Sequence, residues 1–243
     1  MALRIEIGIG ALLMGVCALC GAQPFSYEVR HRHWRNGGKG VLRITGDSIS
    51  FEESGKDQKH SRAWKYGEIQ QLAVGPAEIH LLTYEDQRWK LGRDREYVFD
   101  HLPAQIADEL YPFFRSKLDQ RFVAETADAG FQPLWQVAVK LQQRWGGSQG
   151  ELLVGEDRIV YRTAKADESR TWRYKDIDNI SSSSPFELTI MSAEHSGWAR
   201  SGAREFRFQL KQDLAESRYD DLWRRINSSH GLQILANSKG ESQ

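Results

Sequence analysis

Short runs of alternating apolar and polar residues dominate the chain from residue 27 onward. In the first run, the odd-numbered residues from Tyr27 to His33 share one face, and charged residues occupy the other. A two-residue period is typical of β-strands. Similar runs predict further strands near residues 41–44, 49–51, 64–66, 79–84, 87–90 and 96–99. Gly46 and Asp47 suit a tight hairpin turn between the second and third strands.

A four-residue spacing replaces this alternation after Pro103. It predicts an amphipathic helix, whose apolar positions are Ile106, Leu110, Phe114, Leu118 and Phe122. Pro112 lacks an amide hydrogen and predicts a kink or a restart of that helix. A second helix is predicted near the end of the chain, where Tyr219, Leu222, Trp223 and Ile226 line one face. Gly231 stands where this helix would stop.

The predicted strands and helices occur twice along the chain. Residues 62–69 (RAWKYGEI) reappear as residues 170–177 (RTWRYKDI), residues 95–99 (REYVF) as 204–208 (REFRF), and residues 47–51 (DSISF) as 157–161 (DRIVY). Three ordered matches at nearly constant offset predict an internal duplication. Aromatic residues shared by both copies are predicted to form the core: Trp64, Tyr66, Trp89, Phe99, Trp172, Tyr174, Trp198 and Phe208.

The first 22 residues have the features of a secretory signal peptide. Arg4 precedes an uncharged, mostly apolar run over residues 7–20, and small residues lead to a predicted cut between Ala22 and Gln23. A helix of that run would span about 21 Å, less than the ~30 Å of a bilayer core, so a retained anchor is the second alternative. The sequence therefore predicts export to a bacterial periplasm or extracellular space.

Composition narrows the chemistry that is possible. The chain has 33 Lys and Arg against 33 Asp and Glu, which argues against nucleic-acid binding through a bulk positive field. A hydrophobic content of 40% with no net charge favours a globular fold. Cys17 and Cys20 both lie in the predicted leader. The mature chain would therefore lack disulfides, thiol nucleophiles and thiolate metal sites.

The repeated unit resembles the pleckstrin-homology and GRAM-like superfold. It has about seven strands followed by a helix, and the Trp-x-Tyr-x-x-Ile element occurs at Trp64 and at Trp172. The resemblance implies a mainly β protein with some helix, built as two tandem small bent β-barrels, each of about seven antiparallel strands closed by a C-terminal helix. A lipocalin-like barrel with an internal ligand cavity is the alternative.

The repeat and the leader together predict how the chain is organised. The segments are a signal peptide over residues 1–22, a first domain over 23–124, a linker over 125–134, a second domain over 135–231 and a disordered tail over 232–243.

The sequence offers one candidate catalytic site and one candidate metal site. For each of them a structural role is preferred over the functional one. Gly46-Asp47-Ser48 resembles the nucleophile block of lipase-type hydrolases, but it lies between two strands and its repeat counterpart to Ser48 is Arg158. His31 and His33 share a strand face at a spacing that metals use. No third ligand is nearby in sequence, and Leu141 and Gln143 replace the histidines in the second copy. No metal, cofactor or catalytic residue is predicted.

Basic residues around the first hairpin are the candidate binding site. They are Arg30, Arg32, Arg35, Lys39 and Arg43. Pleckstrin-homology domains that bind phosphoinositides use Lys and Arg in this region, so the resemblance implies an anion-binding face in the first copy. The second copy offers only Lys140 and Arg144 before acidic residues begin. Ordinary solvated surface charge is the alternative interpretation, and it is preferred.

These observations favour an exported, non-enzymatic binding or scaffold module. Its partner would be a protein or an anionic membrane surface, and the oligomeric state stays open. The alternatives are peripheral binding of anionic lipid through the first hairpin, a lipocalin-like carrier of small molecules, and a hydrolase that uses Ser48.

Overall fold

The computed structural model describes residues 25–32, 38–55, 58–87, 93–144, 146–165, 167–192, 194 and 204–231. Several sequence predictions lie outside these residues: the leader over 1–22, the tail over 232–243, most of the strand over 87–90, and the side chains of His33, Arg35, Trp89 and Trp198.

Within the described residues, the first half of the chain has eight strands and one helix. They are β1 (Phe25–Arg32), β2 (Lys39–Ile44), β3 (Ser48–Glu53), β4 (Arg62–Lys65), a 3-10 turn (Tyr66–Glu68), β5 (Ile69–Val74), β6 (Ile79–Asp86), β7 (Asp94–Asp100), α1 (Ile106–Lys117) and β8 (Arg121–Ala124). The predicted alternation is confirmed here: β1 turns Val29 and His31 inward and Arg30 and Arg32 outward.

The described second half follows the same order with seven strands and one helix. Its elements are β9 (Trp135–Gln142), β10 (Gly147–Val154), β11 (Arg158–Thr163), β12 (Arg170–Arg173), a 3-10 turn (Tyr174–Asp176), β13 (Ile177–Ser181), β14 (Glu187–Ser192), β15 (Arg204–Leu210) and α2 (Glu216–Ser229). The second predicted helix is confirmed. Gly231, just beyond α2, has a φ of +75°, a conformation that suits glycine at a helix end.

All the strands belong to one open, mixed sheet. The order is β13-β14-β15-β9-β10-β11-β12-β8-β5-β6-β7-β1-β2-β3-β4. The prediction of two tandem small β-barrels, each closed by a helix, is therefore wrong, although the mainly β composition is confirmed. The physical reason is β8. It pairs in parallel with β5 on one side and in antiparallel direction with β12 on the other. Because β8 is shared, the two sets of strands form a single continuous sheet.

The helix after Pro103 is shorter than its apolar spacing predicts. α1 continues through Pro112 but ends at Lys117, and Leu118 has extended backbone dihedrals. Phe122 lies in β8 instead, where it pairs with Leu72 of β5.

The two halves share strand order and local irregularities. The seven strands from β5 to β4 follow the same order as those from β13 to β12. The register of β5 shifts between Ile69 and Gln71, and that of β13 shifts between Ile177 and Asn179. A β-bulge therefore interrupts the same position of each half.

Each half has its own hydrophobic core between the sheet and its helix. The two cores repeat one aromatic arrangement: Trp64 lies 4.7 Å from Tyr97, and Trp172 lies 4.8 Å from Phe206, measured between ring centroids. Of the predicted core residues described here, Trp64, Phe99, Trp172, Tyr174 and Phe208 are buried, and Tyr66 is half-buried.

The linker predicted over residues 125–134 is packed against the second half. Phe131 is buried against Leu153 and Val160, which lie on the face of β10 and β11 opposite the second core. Neither α1 nor α2, the helices in the described part of the chain, is long and apolar enough to cross a membrane.

Candidate functional site

The first hairpin places two of its basic residues directly opposite each other. Arg30 of β1 pairs with Lys39 of β2, and both side chains lie on the exposed face of the sheet. Among the described residues, neither side chain forms an ion pair. This pair is the part of the predicted anion-binding face that keeps its charge available.

Carboxylates neutralise two other members of that predicted face. Arg32 lies 3.1 Å from Asp100 and 3.0 Å from Glu78, and Arg43 lies 3.2 Å from Glu52, between side-chain nitrogen and oxygen. Arg35 lies outside the described residues. The structure therefore places Arg30 and Lys39 side by side, whereas Arg32 and Arg43 form ion pairs with acidic neighbours.

A histidine continues this charged surface on β6. His80 lies 2.8 Å from Glu96 and 3.0 Å from Glu78, with one carboxylate at each ring nitrogen. Burial lowers the pKa of His80, but the hydrogen bonds and charges of the two glutamates outweigh burial and raise the pKa above its ordinary value. The surface beside the basic pair is thus a mixture of both signs of charge.

His31, the candidate metal ligand, is a core residue. It is buried among aromatic rings, 5.6 Å from Phe51 and 5.4 Å from Phe99 between centroids. Within the described parts of the chain, no group of three or more His, Cys, Asp or Glu side chains could hold a metal ion.

Ser48, the candidate nucleophile, belongs to a turn. Its amide donates to Thr45 Oγ1 at 3.1 Å, and its own hydroxyl lies 3.3 Å from the same oxygen. These contacts stabilise the hairpin between β2 and β3.

A second hydrolase-like sequence, Gly-x-Ser-x-Gly at residues 146–150, was not among the sequence candidates. Its Ser148 is buried in β10, and the serine hydroxyl lies 2.8 Å from Tyr161 Oη. A nucleophile elbow would place this serine on a turn between a strand and a helix. Ser148 lies within an antiparallel strand pair instead.

An open pocket lies where the β5 bulge meets the turn after α1. Its volume is about 410 Å³, and its lining residues are Gln70, Gln71, Leu82, Tyr84, Asp119, Gln120 and Arg121. Tyr84 is 62% exposed, although most large aromatic side chains are buried. Gln70 lies at the bulge, and its Oε1 is buried with no hydrogen-bond partner among the described residues.

Sequence reasoning missed this pocket because its residues come from three separate segments. They form no motif, and only the parallel pairing of β5 with β8 brings them together. The one available signal was Tyr84, an aromatic residue on the solvent-facing side of a predicted strand.

The pocket adjoins a buried polar network that joins the two halves. Arg173 donates to Asp176 at 2.6 Å, to the Leu118 carbonyl at 2.6 Å and to the Gln120 carbonyl at 2.7 Å. Asp176 accepts a further hydrogen bond from the Phe122 amide at 3.1 Å. Both charged side chains are buried. The turn after α1 is thereby held by the second half.

A second group of buried charges lies beside the linker. Arg170 lies 2.8 Å from Glu125, and Glu194 accepts a hydrogen bond from Trp172 Nε1 at 2.9 Å. Burial raises the pKa of Glu125; Arg170 opposes this shift, and Glu194 adds to it. Arg204 lies 3.3 Å from Glu194 and provides it with a counter-charge.

Comparisons with known proteins do not assign this chain to a family. No protein-family model matches the chain, and no curated protein matches it. A chain of the Spt16D–Pob3N heterodimer is 12% identical with a TM-score of 0.32, and the match covers 79% of this chain and 99% of that one. The C-terminal domain of a Leishmania infantum protein is 14% identical with a TM-score of 0.31, covering 40% and 86%. Similarities this low support neither a fold nor a function.

Proposed function

We propose that this chain is a non-enzymatic binding or scaffold module that acts in the cell envelope after export. The observation that supports this best is the buried junction between the halves. Arg173 binds backbone carbonyls of the turn after α1, and Asp176 binds the Phe122 amide of β8. The pocket at that turn therefore has a fixed position relative to both halves. A rigid support lowers the entropic cost of binding a partner.

The proposal includes an internal duplication and kinship with pleckstrin-homology and GRAM-like domains. The shared strand order, the matched bulges and a helix after the seventh strand of each half support both ideas. The continuous sheet departs from the closed barrel of that superfold. Export rests on the predicted leader over residues 1–22.

The partner is proposed to contact the pocket around Tyr84. An exposed aromatic ring beside amide groups and Arg121 has the composition that protein interfaces favour. The exposed Asp119 carboxylate in the pocket lining would fix the orientation of a partner that donates hydrogen bonds. A protein segment with backbone amides and a side chain that packs on Tyr84 fits this chemistry.

Site-specific photocrosslinking tests this proposal in cells that produce the full-length protein. A photoreactive phenylalanine analogue at position 84 should give a discrete adduct of higher mass. The matched control is the same analogue at Phe186, an aromatic residue that is 52% exposed on the loop between β13 and β14. Tyr84 adducts should disappear in an Arg121→Glu background. No adduct from position 84, or equal adducts from both positions, would contradict the proposal.

A second candidate function is binding of anionic lipid headgroups by the Arg30–Lys39 pair. Two adjacent cations without ion pairs on an exposed strand face favour it. The corresponding positions in the second half are Lys140 and Gln149, which face each other in the same way. That half offers one cation where the first half offers two.

Cosedimentation with vesicles tests this second function at physiological salt. The chain should bind phosphatidylglycerol vesicles and not phosphatidylcholine vesicles. Each basic residue near an anionic surface contributes about 1 kcal/mol, so Arg30→Gln with Lys39→Gln should weaken binding roughly 30-fold. Lys140→Gln is the control and should change binding little. Equal binding by the double variant would exclude this pair as the lipid site.

A further inference from the structure

β4 lies at one end of the sheet and has a strand partner on one side only among the described residues. β12 occupies the same place in the strand order of the second half, but its outer edge is covered. Thr171 of β12 pairs with Ala124 of β8, and its hydroxyl donates to the Thr126 carbonyl at 2.7 Å. Every residue of β12 is buried, whereas in β4 only Trp64 is buried. The two halves thus show a similar strand edge, covered in one and exposed in the other.

Three charged side chains lie at the exposed edge of β4: Arg62, Glu85 and Arg95, called the Arg62 site below. Glu85 Oε1 lies 3.9 Å from Arg62 Nη1, and Glu85 Oε2 lies 3.4 Å from Arg95 Nη1. The exposed fraction of the three side chains is 40%, 46% and 38%, respectively. Two arginines and one glutamate leave the Arg62 site with a net positive charge that solvent can reach.

The second half has the same three residue types in a similar arrangement. Glu194 lies 3.9 Å from Arg170 and 3.3 Å from Arg204, between side-chain oxygen and nitrogen. Here a fourth side chain completes the group: Glu125, from the segment that follows β8, lies 2.8 Å from Arg170. Two glutamates then balance two arginines, and Arg170 and Glu194 are both buried. A carboxylate carried by an extended segment therefore fits beside this kind of strand edge.

We propose that the outer edge of β4 binds an extended acidic segment of a partner protein, which adds to the sheet as a strand and places a carboxylate on Arg62. Residues 124–126 (AET) show the chemistry that is required, because Ala124 pairs antiparallel with the edge of β12 and Glu125 reaches the arginine. Main-chain hydrogen bonds would supply affinity, and the net positive charge of the Arg62 site would select an acidic residue. No residue of β4 lines the Tyr84 pocket, so either proposal can fail alone.

A peptide copied from the chain itself tests this binding. The probe is a fluorescent, end-capped peptide of residues 121–128 (RFVAETAD), added to the full-length protein and followed by anisotropy. Replacing the peptide's glutamate with glutamine should weaken binding at least about tenfold, because a hydrogen bond between two charged groups is lost. Arg62→Gln in the protein should have a similar effect. The matched control is Arg43→Gln, which removes another exposed arginine that pairs with a glutamate and should change binding little.

Hydrogen exchange on the same mixture identifies the strand that the peptide joins. Amides of residues 62–65 should exchange more slowly when the peptide is present, and amides of β12 should not change. Slower exchange at β12 alone would mean that the peptide replaces the internal segment, and this would overturn the proposal.

Three other results would also overturn the proposal. One is the absence of peptide binding, and another is equal binding of the glutamate and glutamine peptides. The third is slower exchange of residues 62–65 at higher protein concentration without peptide, which would show that a second copy of the chain covers the edge.

Discussion

Replacing Arg173 with alanine should lower the free energy of unfolding by about 3–5 kcal/mol, the cost expected when one partner of a buried ion pair is removed. Asp176 would keep a buried charge without its counter-ion. The Gln120 carbonyl would lose its bond from Arg173, and the Leu118 carbonyl would keep only its bond from Lys175 at 3.2 Å. Because these groups join the two halves, unfolding should also become less cooperative. Urea denaturation followed by intrinsic fluorescence and by circular dichroism measures both effects.

The matching position in the first half supplies the control for this experiment. Lys65 ends β4 as Arg173 ends β12, and Lys65 is exposed. Lys65→Ala should therefore change stability by no more than about 0.5 kcal/mol. If Arg173→Ala were as mild as Lys65→Ala, the buried network would not be what holds the halves together.

Replacing Trp172 with phenylalanine should cost about 1.5–3 kcal/mol more than the same change at Trp64, because a hydrogen bond to a charged group is lost only at Trp172. Its indole nitrogen donates to Glu194 at 2.9 Å, whereas the Trp64 nitrogen is buried with no partner among the described residues. Both rings are buried and pack on matched aromatic neighbours. The loss of packing should therefore be similar at the two sites.

Urea unfolding of the two single variants at neutral pH measures this difference. Both variants remove the same atoms, but Trp64→Phe also removes a buried donor without a partner among the described residues. Subtracting the two values therefore gives the indole–carboxylate bond together with the relief of that unpaired donor. Equal losses of stability would mean that Glu194 gains nothing from Trp172 and is balanced by Arg204 and Arg170 alone.

Sequence reasoning located most strands because side-chain alternation is a local property of a half-buried sheet. It failed at the end of α1, where Leu118 and Phe122 continue the four-residue spacing although the helix has already ended. Spacing cannot distinguish one more helical turn from a short strand with an apolar residue in the same place. The segment containing Phe122 is a strand because the edges of β5 and β12 pair with its backbone.

For the candidate sites too, the sequence shows some of the residues and the tertiary structure supplies their neighbours. The basic residues of the first hairpin were readable from their spacing, but Asp100 and Glu78, which neutralise Arg32, come from β7 and from the turn before β6. The Tyr84 pocket combines β5 and β6 with the turn after α1 and the first residue of β8, so no continuous segment indicates it.

The sequence by itself determined that this protein is mainly β, in which regions most strands of the first half lie, and that several similar segments occur twice along the chain. These are consequences of side-chain alternation and of residue identity, which act over a few neighbouring positions. Only the tertiary structure decided that the strands form one sheet rather than two barrels. That outcome depends on which exposed strand edges β8 can reach, and on Arg173 finding carbonyl groups more than fifty residues away. Which strand edges pair across a long sequence separation depends on how the whole chain packs. Backbone hydrogen bonds are nearly the same for every residue type, so the local sequence does not select the partner.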